Sequence, residues 1–291
     1  MKKLFFSFVM LVTLVIVAGS AKAQIGTSPY PGGTYTYTLS GIALKNDGTV
    51  KVEYSVPSEI TITPKTGLGE TSSPFTISKD ITSISFDVKY SKDAEPGEKT
   101  FTVTITDETT KCYNFIKLDV TIKQRPTIAV SILASETDPI CQKRNETPGD
   151  NSAAAVTANP TVDNTFTYKV TPVVSYVASG GNFDYTYDIT LPTEGALLGF
   201  GITNNVLANG GAISGTKVTY TGVTEVKEDI FTITFKTTTG QVNQTLNASL
   251  GATPQLTVTS GGGVYDGTVS GSPSSVVVKS MPSIGTFSTN P

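Results

Sequence analysis

Hydrophobic residues recur at every second position over most of this chain. In Phe101-Thr102-Val103-Thr104-Ile105-Thr106 the apolar side chains fall on one side and the threonines on the other. Ile84, Phe86 and Val88 alternate with Ser85, Asp87 and Lys89, and Ile116, Leu118, Val120 and Ile122 alternate with Lys117, Asp119, Thr121 and Lys123. Phe183, Tyr185, Tyr187 and Ile189 repeat the pattern, as do Phe231, Ile233 and Phe235. Period two is the signature of a strand with one buried and one wet face, as in antiparallel sheets. Turn residues punctuate the runs at Asn46-Asp47-Gly48, Glu95-Pro96-Gly97, Gly180-Gly181-Asn182 and Gly261-Gly262-Gly263, the last read as a flexible turn.

The spacing predicts strands over 34–39, 48–56, 59–63, 75–77, 83–90, 99–106 and 112–123. A further set falls over 127–134, 153–158, 165–177, 183–191, 199–207, 216–221, 229–238, 242–250, 254–259 and 274–279. No helical periodicity follows the N-terminal segment. Short strands at this density with regular turns predict an all-β chain of two tandem immunoglobulin-like β-sandwich domains. The break falls at Lys123-Gln124-Arg125-Pro126, where Pro126 cannot donate to a ladder and holds Arg125 extended. The expected organisation is a signal peptide over 1–23, a sandwich over 24–125, a larger sandwich over 126–280 and a loose tail over 281–291.

The N-terminus departs from the alternation. Met1-Lys2-Lys3 precedes an apolar run from Leu4 to Val17, and Ala21-Lys22-Ala23 fits a small-residue cleavage pattern before Gln24. The run is short for a bilayer span of ~20 residues. Cleavage between Ala23 and Gln24 is expected, with no transmembrane span afterwards. The whole chain carries 21 cationic and 24 anionic side chains, a net charge of −3. Loss of Lys2, Lys3 and Lys22 leaves 18 cations against 24 anions, a net charge of −6. Such an acidic surface is a poor nucleic-acid binder.

Composition narrows the chemistry. The chain holds 47 threonines, which suit the wet face of strands because they are β-branched and keep a hydrated hydroxyl. It has no histidine and no tryptophan. Ser-His-Asp and Cys-His catalysis and imidazole metal sites are therefore excluded. No cofactor is expected. The acidic turn carrying Asp93, Glu95 and Glu98 is a weak candidate for Ca²⁺, since it offers oxygen ligands without an EF-hand spacing. Asp138, Glu146 and Asp150 share a second loop with the same reading. Tyr35 and Tyr37 share one face of their strand, either as a contact for a sugar ring or protein, or packed in the core.

Two cysteines in an exported chain suggest a disulfide. Cys112 opens the last strand of the first domain, which runs ~10 residues away from it at ~3.3 Å each. With domains in line, Cys112 and Cys141 stand well beyond the ~7 Å Cα limit, so their pairing is doubtful.

Phe86-Asp87-Val88-Lys89-Tyr90, followed by Asp93-Ala94-Glu95-Pro96-Gly97-Glu98-Lys99-Thr100-Phe101-Thr102-Val103, resembles the late strands of bacterial surface immunoglobulin-like modules. Ile128 to Ile132 with Pro139-Ile140-Cys141-Gln142 is similar to the opening of immunoglobulin-like or PKD-like repeats of secreted Bacteroidota proteins. Gln142-Lys143 stands where such a turn has Gly or Ser, and the usual core Trp is missing. The resemblance implies secretion and a structural or adhesive role, and it brings no catalytic residues. The expected function is that of an exported, non-enzymatic protein of a bacterial periplasm, cell surface or extracellular assembly. Its partners would be envelope or surface proteins or copies of itself. The alternative is a module binding surface glycans or Ca²⁺.

Overall fold

Among the described residues of the computed structural model, every regular element is a β-strand. The structure describes residues 28–42, 49–65, 72–78, 81–135, 139–141, 164–193, 196–203, 210–236 and 243–279. The signal segment, Ala23, Gln24, the tail over 281–291, the expected strand over 153–158 and the loop carboxylates Asp138, Glu146 and Asp150 lie outside them. Among the described residues no helix is long and apolar enough to cross a membrane. The chain divides into two compact units. The first runs to Pro126 and also takes residues 257–264; the second takes the rest from Thr127 onward.

The first unit contains β1 (Thr34–Ser40), β2 (Val50–Ser55), β3 (Ile60–Pro64), β4 (Phe75–Ile77), β5 (Ser83–Tyr90), β6 (Gly97–Asp107) and β7 (Tyr113–Ile122). One sheet has the order β1-β5-β3 and the other β4-β2-β6-β7, with every pairing antiparallel. In an immunoglobulin-type sandwich B, E and D share one sheet and C, F and G the other. β1, β5 and β3 take the B, E and D places, and β2, β6 and β7 take C, F and G. β4 extends the second sheet beyond C. With no strand at the A place among the described residues, β1 and β7 are both sheet edges.

Alternation builds the core. Tyr37, Leu39, Val50, Val52, Phe86, Val88, Phe101, Val103, Leu118 and Val120 belong to one buried cluster drawn from both sheets. Phe101 meets Tyr37 and Phe86 edge-on, with ring centroids 6.2 and 6.4 Å apart. Such pairs add to simple area burial because the ring edge is positive and the face negative.

In the second unit one sheet joins β8 (Thr127–Ala134), β10 (Asn164–Ser175), β12 (Ala196–Thr203), β15 (Asp229–Lys236) and β19 (Thr268–Ser270), in the order β12-β15-β10-β8-β19. The other joins β9 (Ile140–Cys141), β11 (Phe183–Thr190), β13 (Gly211–Ser214), β14 (Lys217–Val223), β16 (Gln244–Leu250) and β20 (Ser274–Lys279), in the order β13-β14-β11-β16-β20-β9. β17 (Gln255–Val258) and β18 (Gly263–Asp266) pair with each other and overlap the two ends of the 257–264 segment that belongs to the first unit. The short strands β9, β13, β18 and β19 have two to four residues each and leave no readable period.

The glycine run after β17 is more constrained than a flexible turn. Gly261 has φ +86°, and a Cβ there would stand 2.4 Å from the Tyr35 ring. Its carbonyl accepts from the Thr34 N–H at 2.8 Å. The glycine is required by close approach as well as by backbone conformation.

Candidate functional site

The outer face of the four-stranded sheet is where the first unit offers chemistry. Directly paired residues on antiparallel strands project to the same side. Thr76 pairs with Lys51, Lys51 with Thr106, and Thr106 with Tyr113. The next row runs from Glu53 through Thr104 to Phe115, and the one after from Ser55 through Thr102 to Lys117. A threonine column on β6 is thus flanked by a charged column on β2 and an aromatic one on β7.

Tyr113 is 71% exposed and Phe115 55% exposed. Both sit on the wet phase of β7, whose opposite phase buries Leu118, Val120 and Ile122. At ~3.3 Å per residue the two rings are mounted about 7 Å apart along an edge strand. Natural sheets usually blunt such an edge with charged side chains, proline, a bulge or short length, and of these devices β7 carries only charge, at Lys117 and Asp119. β7 has ten residues, contains no proline and pairs with β6 without a register shift. Beside the rows lies an open groove of about 640 Å³ lined by Lys51, Glu53, Thr76, Thr106, Glu108 and Lys111 among others. Its charges neutralise one another: Lys51 Nζ is 2.8 Å from Glu53, and Lys111 Nζ 3.0 Å from Glu108.

Tyr35 and Tyr37 are not contact residues. They are 5% and 2% exposed, because the β1 phase that carries them is the core phase. The Tyr35 hydroxyl accepts from the Tyr30 N–H at 2.9 Å and donates to the Ser260 carbonyl at 3.2 Å. The Tyr37 and Tyr90 hydroxyls bond each other at 3.2 Å. Burial pushes the Tyr37 phenol up to about 12 and raises Tyr90 further.

Asp93, Glu95 and Glu98 are not brought together. Among the described residues no three carboxylates or thiols gather to hold a metal ion. The turn directs its acids to water: the Asp93 side chain is 88% exposed and meets Arg125 at 3.5 Å. Cys112 is an exposed free thiol in the turn before β7, while Cys141 belongs to β9 in the second unit. The Cys141 side chain lies outside the described residues.

The second unit holds a buried acid that sequence reasoning missed. Asp229 opens β15 with 0% exposure, and its two oxygens accept from the hydroxyls of Tyr187 and Tyr220. Those tyrosines stand on β11 and β14 of the facing sheet, so the three side chains tie the sandwich together across its core. Tyr185 stacks on Tyr220 with centroids 4.6 Å apart. Desolvation lifts the Asp229 carboxyl above its ordinary range, and the two hydroxyl bonds pull it partly back. Tyr187 and Tyr220 are raised, first by burial and then by the neighbouring carboxylate. The signal was available: Asp229 lies in phase with Phe231 and Ile233, so an acid interrupts a buried face. Tyr113 and Phe115 gave the mirror signal, aromatics in phase with Lys117 and Asp119.

No family model matches the chain. No curated protein matches it either. Among solved structures it is similar to the C-terminal domain of the Streptococcus agalactiae antigen I/II polypeptide BspA, at 13% identity and a TM-score of 0.37, over 88% of this chain and 95% of that one. It is similar to the C-terminal domain of the Streptococcus pyogenes antigen I/II-family protein AspA, at 10% identity and a TM-score of 0.33, over 88% and 95% of the two chains. It is also similar to the major pilin subunit BcpA of Bacillus cereus, at 14% identity and a TM-score of 0.28, over 79% and 69%. The fold stated above rests on the strand pairing itself.

Proposed function

We propose that this chain is an exported, non-enzymatic structural or adhesive protein of a bacterial envelope or extracellular assembly. It is cleaved after Ala23, carries two tandem sandwich domains and acts by protein–protein contact. The observation that carries this reading is the exposed pair Tyr113 and Phe115 on the long edge strand β7. Edge strands offer unpaired backbone groups to a partner, and exposed aromatic rings supply apolar anchoring area. The absence of histidine supports a role without acid–base chemistry at neutral pH.

The test is adherence of beads coated with residues 24–291, to one another and to bacterial cells. Coated beads should adhere, and Tyr113→Ser/Phe115→Ser should abolish it at an unchanged melting temperature. Coated beads behaving like bare ones would sink the reading.

The groove of about 640 Å³ favours one second reading, a polar ligand such as a surface glycan. Exposed rings beside hydroxyls and paired charges suit sugar C–H faces and sugar hydroxyls. A glycan that raises the melting temperature of the wild type, but not of Lys51→Ala/Lys111→Ala, would favour it.

A further inference from the structure

The backbone of β7 alternates between a partnered and a free side. The Asp107 N–H bonds the Cys112 carbonyl where the β6–β7 hairpin closes. In an antiparallel ladder hydrogen-bonded positions alternate. The backbone groups of Cys112, Asn114, Ile116, Leu118 and Val120 therefore face β6, and those of Tyr113, Phe115, Lys117, Asp119 and Thr121 face away. Two contacts agree with this phase. The Phe115 N–H takes the Asn114 side-chain oxygen at 2.9 Å instead of a strand. The Lys123 N–H, next in the outward series, takes the Pro29 carbonyl at 2.8 Å. That second bond closes the edge at its C-terminal end. Among the described residues no strand covers it from Tyr113 to Thr121.

We infer that β7 pairs with β7 of a second copy of this chain, antiparallel and centred on Leu118, over Phe115 to Thr121. This names the partner for the contact reading above and rests on it. Only residues of the outward set can face one another as hydrogen-bonded pairs, which limits the registers. Centring on Lys117 sets Lys117 against Lys117, and centring on Asp119 sets Asp119 against Asp119. Centring on Leu118 sets each Lys117 against the other chain's Asp119, so two attractive pairs form across a two-fold axis. The same register places Phe115 opposite Thr121, Ile116 opposite Val120, and Leu118 opposite Leu118. Opposite charges and aromatic–β-branched pairs directly across strands are favourable, and like charges are not. A two-fold contact of this kind is self-complementary and closes at two copies, so it yields a dimer and not a fibre. It joins two four-stranded sheets into one of eight strands. It also takes the exposed Phe115 ring into a cross-strand contact.

Sedimentation equilibrium of residues 24–291 tests the pairing. The wild type should form a concentration-dependent dimer. Lys117→Asp alone and Asp119→Lys alone each turn two attractive pairs into two repulsive ones, and each should weaken the dimer at least about tenfold. The double variant Lys117→Asp/Asp119→Lys exchanges the charges and should recover the wild-type constant to within about threefold. Both side chains are exposed, and Asp119 accepts from the Thr100 hydroxyl at 2.5 Å, so melting temperatures of all four proteins, taken in dilute monomer where association adds no stability, should agree to within a few degrees. A monomer at every concentration overturns the inference. So does a dimer indifferent to single reversal, or a double variant no better than the singles. Bead–cell adherence that persists without a dimer would leave the contact reading standing, whereas loss of both would end it.

Discussion

Asp229 shows how one residue can set a pH response from inside a core. Its folded-state carboxyl lies above the ordinary value of 3.8, with burial as the main cause. The folded chain then holds the proton at pH values where the unfolded chain has released it. Stability from this group is fully present below about pH 4 and falls as pH rises through the folded value, opposite to a salt-bridged acid. The groups facing it are the Tyr187 and Tyr220 hydroxyls and the nearby Tyr185, while the adjacent Glu228 pairs with Lys169 at 2.6 Å. Asp229→Asn keeps polar atoms for both tyrosines and removes the titration. Urea midpoints from pH 4 to 8 should show wild type losing stability relative to Asp229→Asn as pH rises; a difference independent of pH would refute the assignment. Asp229→Ala strips both hydroxyls of their acceptor and should cost about 2–4 kcal/mol.

The buried tyrosines make a second prediction at the same scale. Tyr37 is held at about 12 by burial against an ordinary 10.0. Above about pH 10 the unfolded chain loses the phenolic proton first, so this stability disappears as pH rises from 10 towards 12. Tyr90, Tyr185, Tyr187 and Tyr220 shift in the same direction. Tyrosinate absorbance should rise together with loss of β-sheet circular dichroism between pH 10 and 12. Tyrosines titrating smoothly in a chain that stays folded would contradict it.

Among the elements, β6 and β7 separate packing from contact. Phe101 is 4% exposed and touches two aromatic rings, so Phe101→Ala should cost about 3–5 kcal/mol in urea unfolding. Tyr113→Ser/Phe115→Ser, on the wet face of the neighbouring strand, should stay within about 0.5 kcal/mol per site. Equal losses at the two places would mean the outer face is not free. Period two made these strands legible: the runs read as 34–39, 75–77, 83–90 and 112–123 correspond to β1, β4, β5 and β7 within a residue or two. What it could not supply was partner order, because pairing between distant strands leaves no local trace. It also left Tyr35 and Tyr37 undecided, since alternation fixes that two residues share a face and not which face is wet. The Asp229 triad joins positions 187, 220 and 229, so its geometry emerges only from the sheets that bring them together.

At the scale of the whole molecule, the features argue for a protein that works by its surfaces. The four-stranded sheet of the first unit presents threonines, neutralised charges and two bare rings. Export is the part of the reading carried by Lys2, Lys3, the apolar run and Ala21-Lys22-Ala23. Protein recovered from outside the cytoplasm should begin at Gln24, as read by intact mass and N-terminal sequencing, and a chain that keeps Met1 there would contradict export by this route. The central claim, that β7 is an open edge made for contact, is tested most directly by residue-resolved amide exchange of residues 24–291. In dilute protein the amides of Ile116, Leu118 and Val120 should be protected and those of Lys117, Asp119 and Thr121 should exchange freely. Raising the concentration until the chain associates should protect the second set. Protection of that set in dilute monomer, or its continued free exchange in the associated state, would contradict the account.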